Sequence, residues 1–199
     1  MIFNKSNKNK RILNSAAIFS VILSLFLIFS ATSCNKKIQV ENDSQIAANF
    51  FGTWEIQYKS QAELSSDPGT ELELYQGEAE ILSSTTITFF EDQRYQMEIL
   101  AALENVKLQD TAPFTEEDVR KQVETYLLIE GTFLANKEYL ELDGKTVRTI
   151  DGKITSIQEY SQIDSRVGSE KQILKWAIED NQLSIFDLAR KNAVTYRKQ

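Results

Sequence analysis

Histidine is absent from the 199 residues, cysteine occurs once, and there are only two prolines. Without histidine there is no His-based catalytic triad, no imidazole metal ligand and no histidine pH switch. One cysteine rules out an internal disulfide and every multi-cysteine zinc site. Basic residues are also scarce, 22 against 29 acidic, for a net charge of −7. A nucleic-acid binder needs a basic face to neutralise phosphates, so that class of partner is excluded. Catalytic signatures are missing too. There is no G-x-S-x-G elbow, S-x-x-K, glycine-rich phosphate loop or EF-hand loop. Carboxylate pairs such as Glu71 and Glu73 read as solvated strand edges. The sequence gives no reason to expect an enzyme, a cofactor or a bound metal.

What is present begins with an address. Residues 1–33 carry Lys5, Lys8, Lys10 and Arg11 and no acidic residue. The uncharged apolar run Ala16–Phe29 follows, then Ala31-Thr32-Ser33 and the lone Cys34. A basic head, a short apolar core and small residues before a cut describe a secretory signal peptide. The run is short for a membrane-spanning helix, which needs roughly 20 apolar residues. The segment resembles the lipobox of bacterial lipoproteins, with Ala31 where those proteins prefer leucine. The resemblance implies that Cys34 becomes the acylated first residue of the mature chain. It also implies a home in the bacterial cell envelope, at the outer membrane facing the periplasm or the cell surface. Cleavage would remove four basic residues and no acidic one, leaving the mature chain more negative still. Such a chain is repelled by anionic surfaces, so membrane attachment must come from lipid. Lys36 and Lys37 are the only nearby cations.

Residues 34–48 read as the lipidated cysteine and a flexible tether, with 45–49 as an alternative short helical turn. The domain proper is expected over 49–199. From Phe50 onward the apolar period is mostly two. Trp54, Ile56 and Tyr58 alternate with polar neighbours, the pattern of a half-buried antiparallel strand. Asp67-Pro68-Gly69 punctuates a loop over 61–70, and a second strand is expected within 72–82. A hairpin follows, 85–90 and 95–103, whose second arm sets Tyr95, Met97, Ile99, Ala101 and Leu103 on one face. Pro113, Thr115 and three acids from Glu116 predict a short helix near 115–123, with Thr115 as its cap and Asp118 in the capping-box position. Further strands are expected at 125–135, 139–143, 146–150, 153–163, 170–179, 182–187 and 193–198. Asp143-Gly144 and Asp151-Gly152 read as hairpin turns, because glycine supplies the positive φ. The fold class is mainly β: an antiparallel up-and-down barrel of about 8–10 strands with one short inserted helix.

Three stretches carry a second resemblance. Gly52-Thr53-Trp54 opens the first strand, Ile87–Tyr95 forms a strand–turn–strand with Phe90 before the turn, and Trp176–Ile185 is a late hairpin. In this order they look like the lipocalin-like families of small bacterial lipoproteins, over residues 50–199. The resemblance implies a barrel with one cavity able to hold a small apolar or amphipathic ligand. It also implies a late arginine over the G-x-W tryptophan. Arg197 is the only arginine of the last strand, but strand parity turns it outward. Trp54 reads as a plug at the closed end of the barrel. Tyr58, Tyr95, Met97, Ile99, Tyr126 and Trp176 are the candidate ligand contacts, since a cavity wants apolar walls with a few hydroxyls. Each of them serves equally as ordinary filling of a small barrel. Two functions therefore stand side by side. One is a membrane-anchored binding module for a small hydrophobic molecule. The other is a structural lipoprotein whose filled barrel docks an envelope protein.

Overall fold

The computed structural model describes residues 38–65, 76–108, 115–163, 171–189 and 191–199. Cys34, the leader, Lys36, Lys37 and Glu71 and Glu73 lie outside them. The elements are α1 (Ser44–Ala47) running into a 3-10 turn (Ala48–Phe50), β1 (Gly52–Ser65), β2 (Gln76–Phe89), β3 (Arg94–Leu108), α2 (Glu116–Val123), β4 (Thr125–Ala135), β5 (Tyr139–Thr149), β6 (Ile154–Ser156), α3 (Ile157–Ile163), β7 (Lys171–Glu179), β8 (Gln182–Phe186) and β9 (Ala193–Lys198). The strand order β4-β3-β2-β1-β9-β8-β7-β5, with β4 paired to β5, closes an antiparallel eight-stranded barrel; β6 is an extra strand beside β5. This is a lipocalin-like barrel. Its closing seam is short, with Trp54 opposite Lys198 and Glu55 opposite Arg197. The Gln199 amide extends it by donating to the Thr53 carbonyl at 3.0 Å.

Alternation decides the core. Trp54, Ile87, Phe89, Tyr95, Met97, Leu127, Phe133, Leu183 and Tyr196 are all buried, each on the inward parity of its strand. One end of the barrel, here the base, is filled by aromatic rings. Phe50 packs edge-on against Phe89 at 5.4 Å and Trp176 at 4.8 Å, and Phe89 meets Phe133 at 4.8 Å. Such pairs add about 0.5–1.5 kcal/mol beyond area burial. The Trp54 indole N–H donates to the Phe50 carbonyl at 2.6 Å, so burying the ring leaves no polar atom unpaired. Lys198, not Arg197, lies over the Trp54 ring, 5.2 Å from its centroid. It follows Val194 and Tyr196 by parity onto the inner face, whereas Arg197 is exposed on the outer one.

Residues 38–50 close the base from outside. Asp43 caps α1 and its amide donates to the Ala135 carbonyl at 2.8 Å, while Asn42 Oδ1 accepts from the Ala135 amide. Val40, Ala47 and Phe50 are buried. The stretch read from sequence as tether is thus packed from Val40 onward, because Val40 and Ala47 find apolar cover that spacing alone does not reveal.

The first five residues of the loop expected over 61–70 belong to β1, which pairs with β2 as far as Ser65, and three further local expectations change. The strands expected at 72–82 and 85–90 are one strand where described, β2. Asp143-Gly144 is not a hairpin turn but lies inside β5, where Gly131 faces Gly144 and Glu130 faces Thr146. The extra residue, Lys145, is absorbed as a bulge. Glycine is needed at both positions for space. A Cβ on Gly131 would stand 2.2 Å from the Asp143 carbonyl oxygen, and one on Gly144 2.6 Å from Ile157 Cδ1. The third change is at 153–163, where a three-residue strand turns into α3. Asp151-Gly152 does make a turn, with Gly152 at φ +77. α3 folds Ile157 into the barrel beside Gly144, where Ile157 is buried.

Two substitutions test this packing. Gly131→Ala meets fixed backbone and should cost at least the upper end of the roughly 1–3 kcal/mol typical of overpacking. Gly144→Ala meets the end of a side chain, so Ile157→Val should recover most of its loss. Denaturant titration of both single variants and the double variant checks the coupling. Deletion of 193–199 should unfold the domain and red-shift tryptophan emission, because it removes the β1 partner and uncovers Trp54.

Candidate functional site

The interior holds two apolar clusters. The larger runs from the base to mid-barrel and includes Phe50, Trp54, Met97, Ile129, Ile157 and Tyr196. The smaller lies at the opposite end, the mouth, where β2 and β3 run on beyond β4. There Ala79, Ile81 and Leu103 are covered by Val119 and Val123 of α2. Between the clusters the inner wall changes character. Counting inward positions along β2 from the base gives Phe89, Ile87, Thr85, Ser83, Ile81. Ser83 and Thr85 are each 1% exposed, and neither hydroxyl has a hydrogen-bond partner. On the neighbouring strand Tyr58 stands opposite Ser83 and Ser60 opposite Ile81. The Ser60 hydroxyl is buried without a partner as well; elsewhere on the inner wall so is the Gln172 carbonyl oxygen, on β7 opposite Leu142. Ala101 on β3 completes a band of small side chains. In this belt the hydroxyls of the protein do not satisfy one another.

The sequence-predicted contacts divide among four places. Tyr58 joins the belt and opens toward solvent, 42% exposed. Tyr95, Met97 and Ile99 share the inner face of β3 as expected, but they fill the middle of the barrel, with the Tyr95 hydroxyl against Gly144. Burial raises the Tyr95 phenol far above its ordinary range, and the Asp143 carboxylate adds to this; burial does the same for Tyr196, with Tyr58 contributing. Both stay neutral at any physiological pH. Trp176 belongs to the base, donating its N–H to the Asn136 carbonyl at 2.9 Å. Tyr126 is on the outer face, opposite Leu100, because the inward positions of β4 are Leu127, Ile129, Gly131 and Phe133. Gly52 takes φ +111 at the entry to β1, and Trp54 is the plug of the base. Ser60, Ser83, Thr85 and Gln172 are the residues sequence reasoning passes over. The signal for the first three is parity alone, counted back from Trp54 and Phe89.

α2 covers the belt's mouth side through a seam of unusual construction. β3 pairs with β4 only as far as Ala101 opposite Thr125. Two residues further along, the Leu103 amide donates to Glu124 Oε1 at 3.2 Å and the Leu103 carbonyl accepts from Arg120. Side chains of α2 thus take the place of a strand. Arg120 is neutralised by Glu116 and Glu124, each 2.6 Å away. A full capping box, with the Asp118 amide donating to Thr115 Oγ1 and the Thr115 amide to Asp118 Oδ2, fixes the start of the helix. On the outer wall a cleft of about 470 Å³ lies between Gln61, Glu78, Glu80, Asn105 and Lys107. Its chemistry is closed on itself, since Glu80 accepts from both Gln61 and Asn105. Among the described residues no three potential ligands converge on a metal-sized site.

Arg120→Ala removes one half of the seam and leaves a carbonyl unpaired. Amide exchange over 116–124 and at Leu103 should rise at least tenfold, while the strands of the base keep their protection. Equal acceleration everywhere would mean that α2 does not open by itself. Comparison with known proteins finds no family model that matches this chain and no match among curated proteins.

Proposed function

We propose that this chain is a lipid-anchored envelope lipoprotein whose barrel binds a small apolar or amphipathic molecule, without catalysis. The observation that carries the reading is the belt of unpartnered hydroxyls in an otherwise apolar interior. A buried hydroxyl left unpaired costs about 1–3 kcal/mol. Valine or alanine at Ser83 and Thr85 would avoid that cost, so a barrel evolved only for stability has no use for them. A molecule with one polar end and an apolar body would satisfy the hydroxyls and extend the apolar packing on either side of them. The cover of α2, held at the seam by the side chains of Arg120 and Glu124, suits a site that must open. Anchoring rests on the leader and Cys34, as argued from the sequence.

A filled barrel that docks a protein partner is the second reading. Its support is the solid aromatic base together with Ile150 and Ile154, which stand 66% and 58% exposed around the β5–β6 turn.

Native mass spectrometry of the purified chain separates the two. A co-purifying molecule of a few hundred daltons, released on unfolding, is the expected result. A chain of bare mass, bound instead to an envelope protein through Ile150 and Ile154, would favour docking. For the anchor, Cys34→Ala should leave the precursor uncleaved or move the domain from the membrane fraction to the soluble one. A processed Cys34→Ala protein that stays with the membrane would remove the lipobox from the account.

A further inference from the structure

The charge of the ligand follows from what faces the belt, on the reading that the barrel binds one. We infer that the site selects an uncharged amphiphile, one whose polar end is a hydroxyl, ester or amide and whose body is a hydrocarbon chain or ring. Ser60, Ser83 and Thr85 offer hydroxyls that both donate and accept. The buried carboxylate of this inner wall, Asp187 one step beyond β8, already accepts from the Lys191 amide and the Asn192 side-chain amide. Among the described residues the inward positions of β1 to β5 and β7 to β9 are apolar or neutral, apart from Lys198. Lys198 lies at the other end of the barrel, over Trp54. Arg120, the nearest cation of the covering helix, already has Glu116 and Glu124 as partners and the Leu103 carbonyl as acceptor.

An ionised head group is therefore penalised in both signs. A carboxylate or ammonium entering the belt loses its hydration and meets no counter-charge that is not already engaged, Arg120 by two glutamates and Asp187 by two amides, so its recourse is to shift its pKa and bind neutral. A neutral head loses far less hydration and gains the unpartnered hydroxyls of β1 and β2. Ser83 stands opposite Ala101, and these small side chains lie between Ile81 and Leu103 on the mouth side and Ile99 on the base side. The apolar body then runs toward the mouth, along Ile81, Leu103 and the valines of α2, because the base is closed by Phe50, Phe89 and Trp176.

The test uses four probes of one chain length: 1-monooleoylglycerol, oleyl alcohol, oleate and oleylamine. Each is titrated into the purified, lipid-stripped chain at pH 7.5 and read by native mass spectrometry and by displacement of a fluorescent fatty alcohol. The two neutral probes should bind at least tenfold more tightly than oleate and oleylamine. The double variant Ser83→Ala, Thr85→Val carries the second arm. It should weaken the neutral probes about tenfold, the size of one lost hydrogen bond of 1–1.5 kcal/mol. The same variant should raise the melting temperature of the ligand-free chain by about 2–4 °C, because it removes unpaired buried groups. Opposite signs for affinity and stability mark a site held ready for a ligand. Oleate binding as tightly as monooleoylglycerol would overturn the charge selection and leave the carrier reading intact. A lowered melting temperature would show that the hydroxyls hold the fold and not a head group. Failure of all four probes to bind would overturn the carrier reading itself.

Discussion

A sheet that must return to its own first strand loses the freedom to choose its faces. Once β9 is fixed against β1 at Trp54 and Glu55, the parity of every other strand follows through seven further pairings. A one-residue slip anywhere would turn an inward set outward. The G-x-W entry is where this constraint is written most firmly. Gly52 makes the bend, Trp54 is pinned through its N–H to the turn before it, and Lys198 lies across the ring from the last strand. The aromatic base is the packing consequence of that register. The belt above it is its polar consequence, since the same parity that buries Phe89 and Ile87 also buries Thr85 and Ser83.

The legible parts of the sequence are those where local and long-range preferences agree. β4 and β9 begin and end where the sequence predicts, each a run rich in β-branched and aromatic residues. α2 is announced by Thr115 and its acids, and the box forms as written. The failures come where a local signal meets a stronger partner. Asp143-Gly144 is good turn chemistry, yet both of its flanks pair with β4, and a bulge costs less than abandoning that ladder. Lys153–Ile163 alternates well enough for a strand over a span too short for periodicity to decide. The sequence does hold the sign of α3: Ser156 stands three before Glu159, and its hydroxyl accepts the Glu159 amide at 3.2 Å. Tyr126 sits in the run Tyr-Leu-Leu-Ile, all apolar, where only the register with β3 tells inside from outside.

The candidate site was half legible. Aromatic residues draw the eye, but in this barrel they fill space: Tyr95 the middle, Trp176 the base. The residues that set the interior apart are small hydroxyls, which no composition count singles out. Their meaning depends on burial without partners, a property of the assembled barrel and not of any segment. On the proposed binding, stability and recognition would pull against each other at these positions, as they do in most binding sites. The seam at Leu103 shows the same tension, with a stretch of barrel wall entrusted to Arg120 and Glu124 where a strand would hold better.

The packing of residues 38–50 on the base also fixes a distance. Val40 is buried and Asp43 is tied to Ala135, so an acyl chain on Cys34 would be joined to the barrel by only the six steps from Cys34 to Val40. At full extension these reach about 20 Å. If Cys34 carries the lipid as proposed, a domain on so short a leash would stand with its aromatic end toward the bilayer and its α2 end toward the aqueous space. Cargo leaving such a barrel would pass through water to its next holder, and the exchange would be between proteins rather than between protein and membrane.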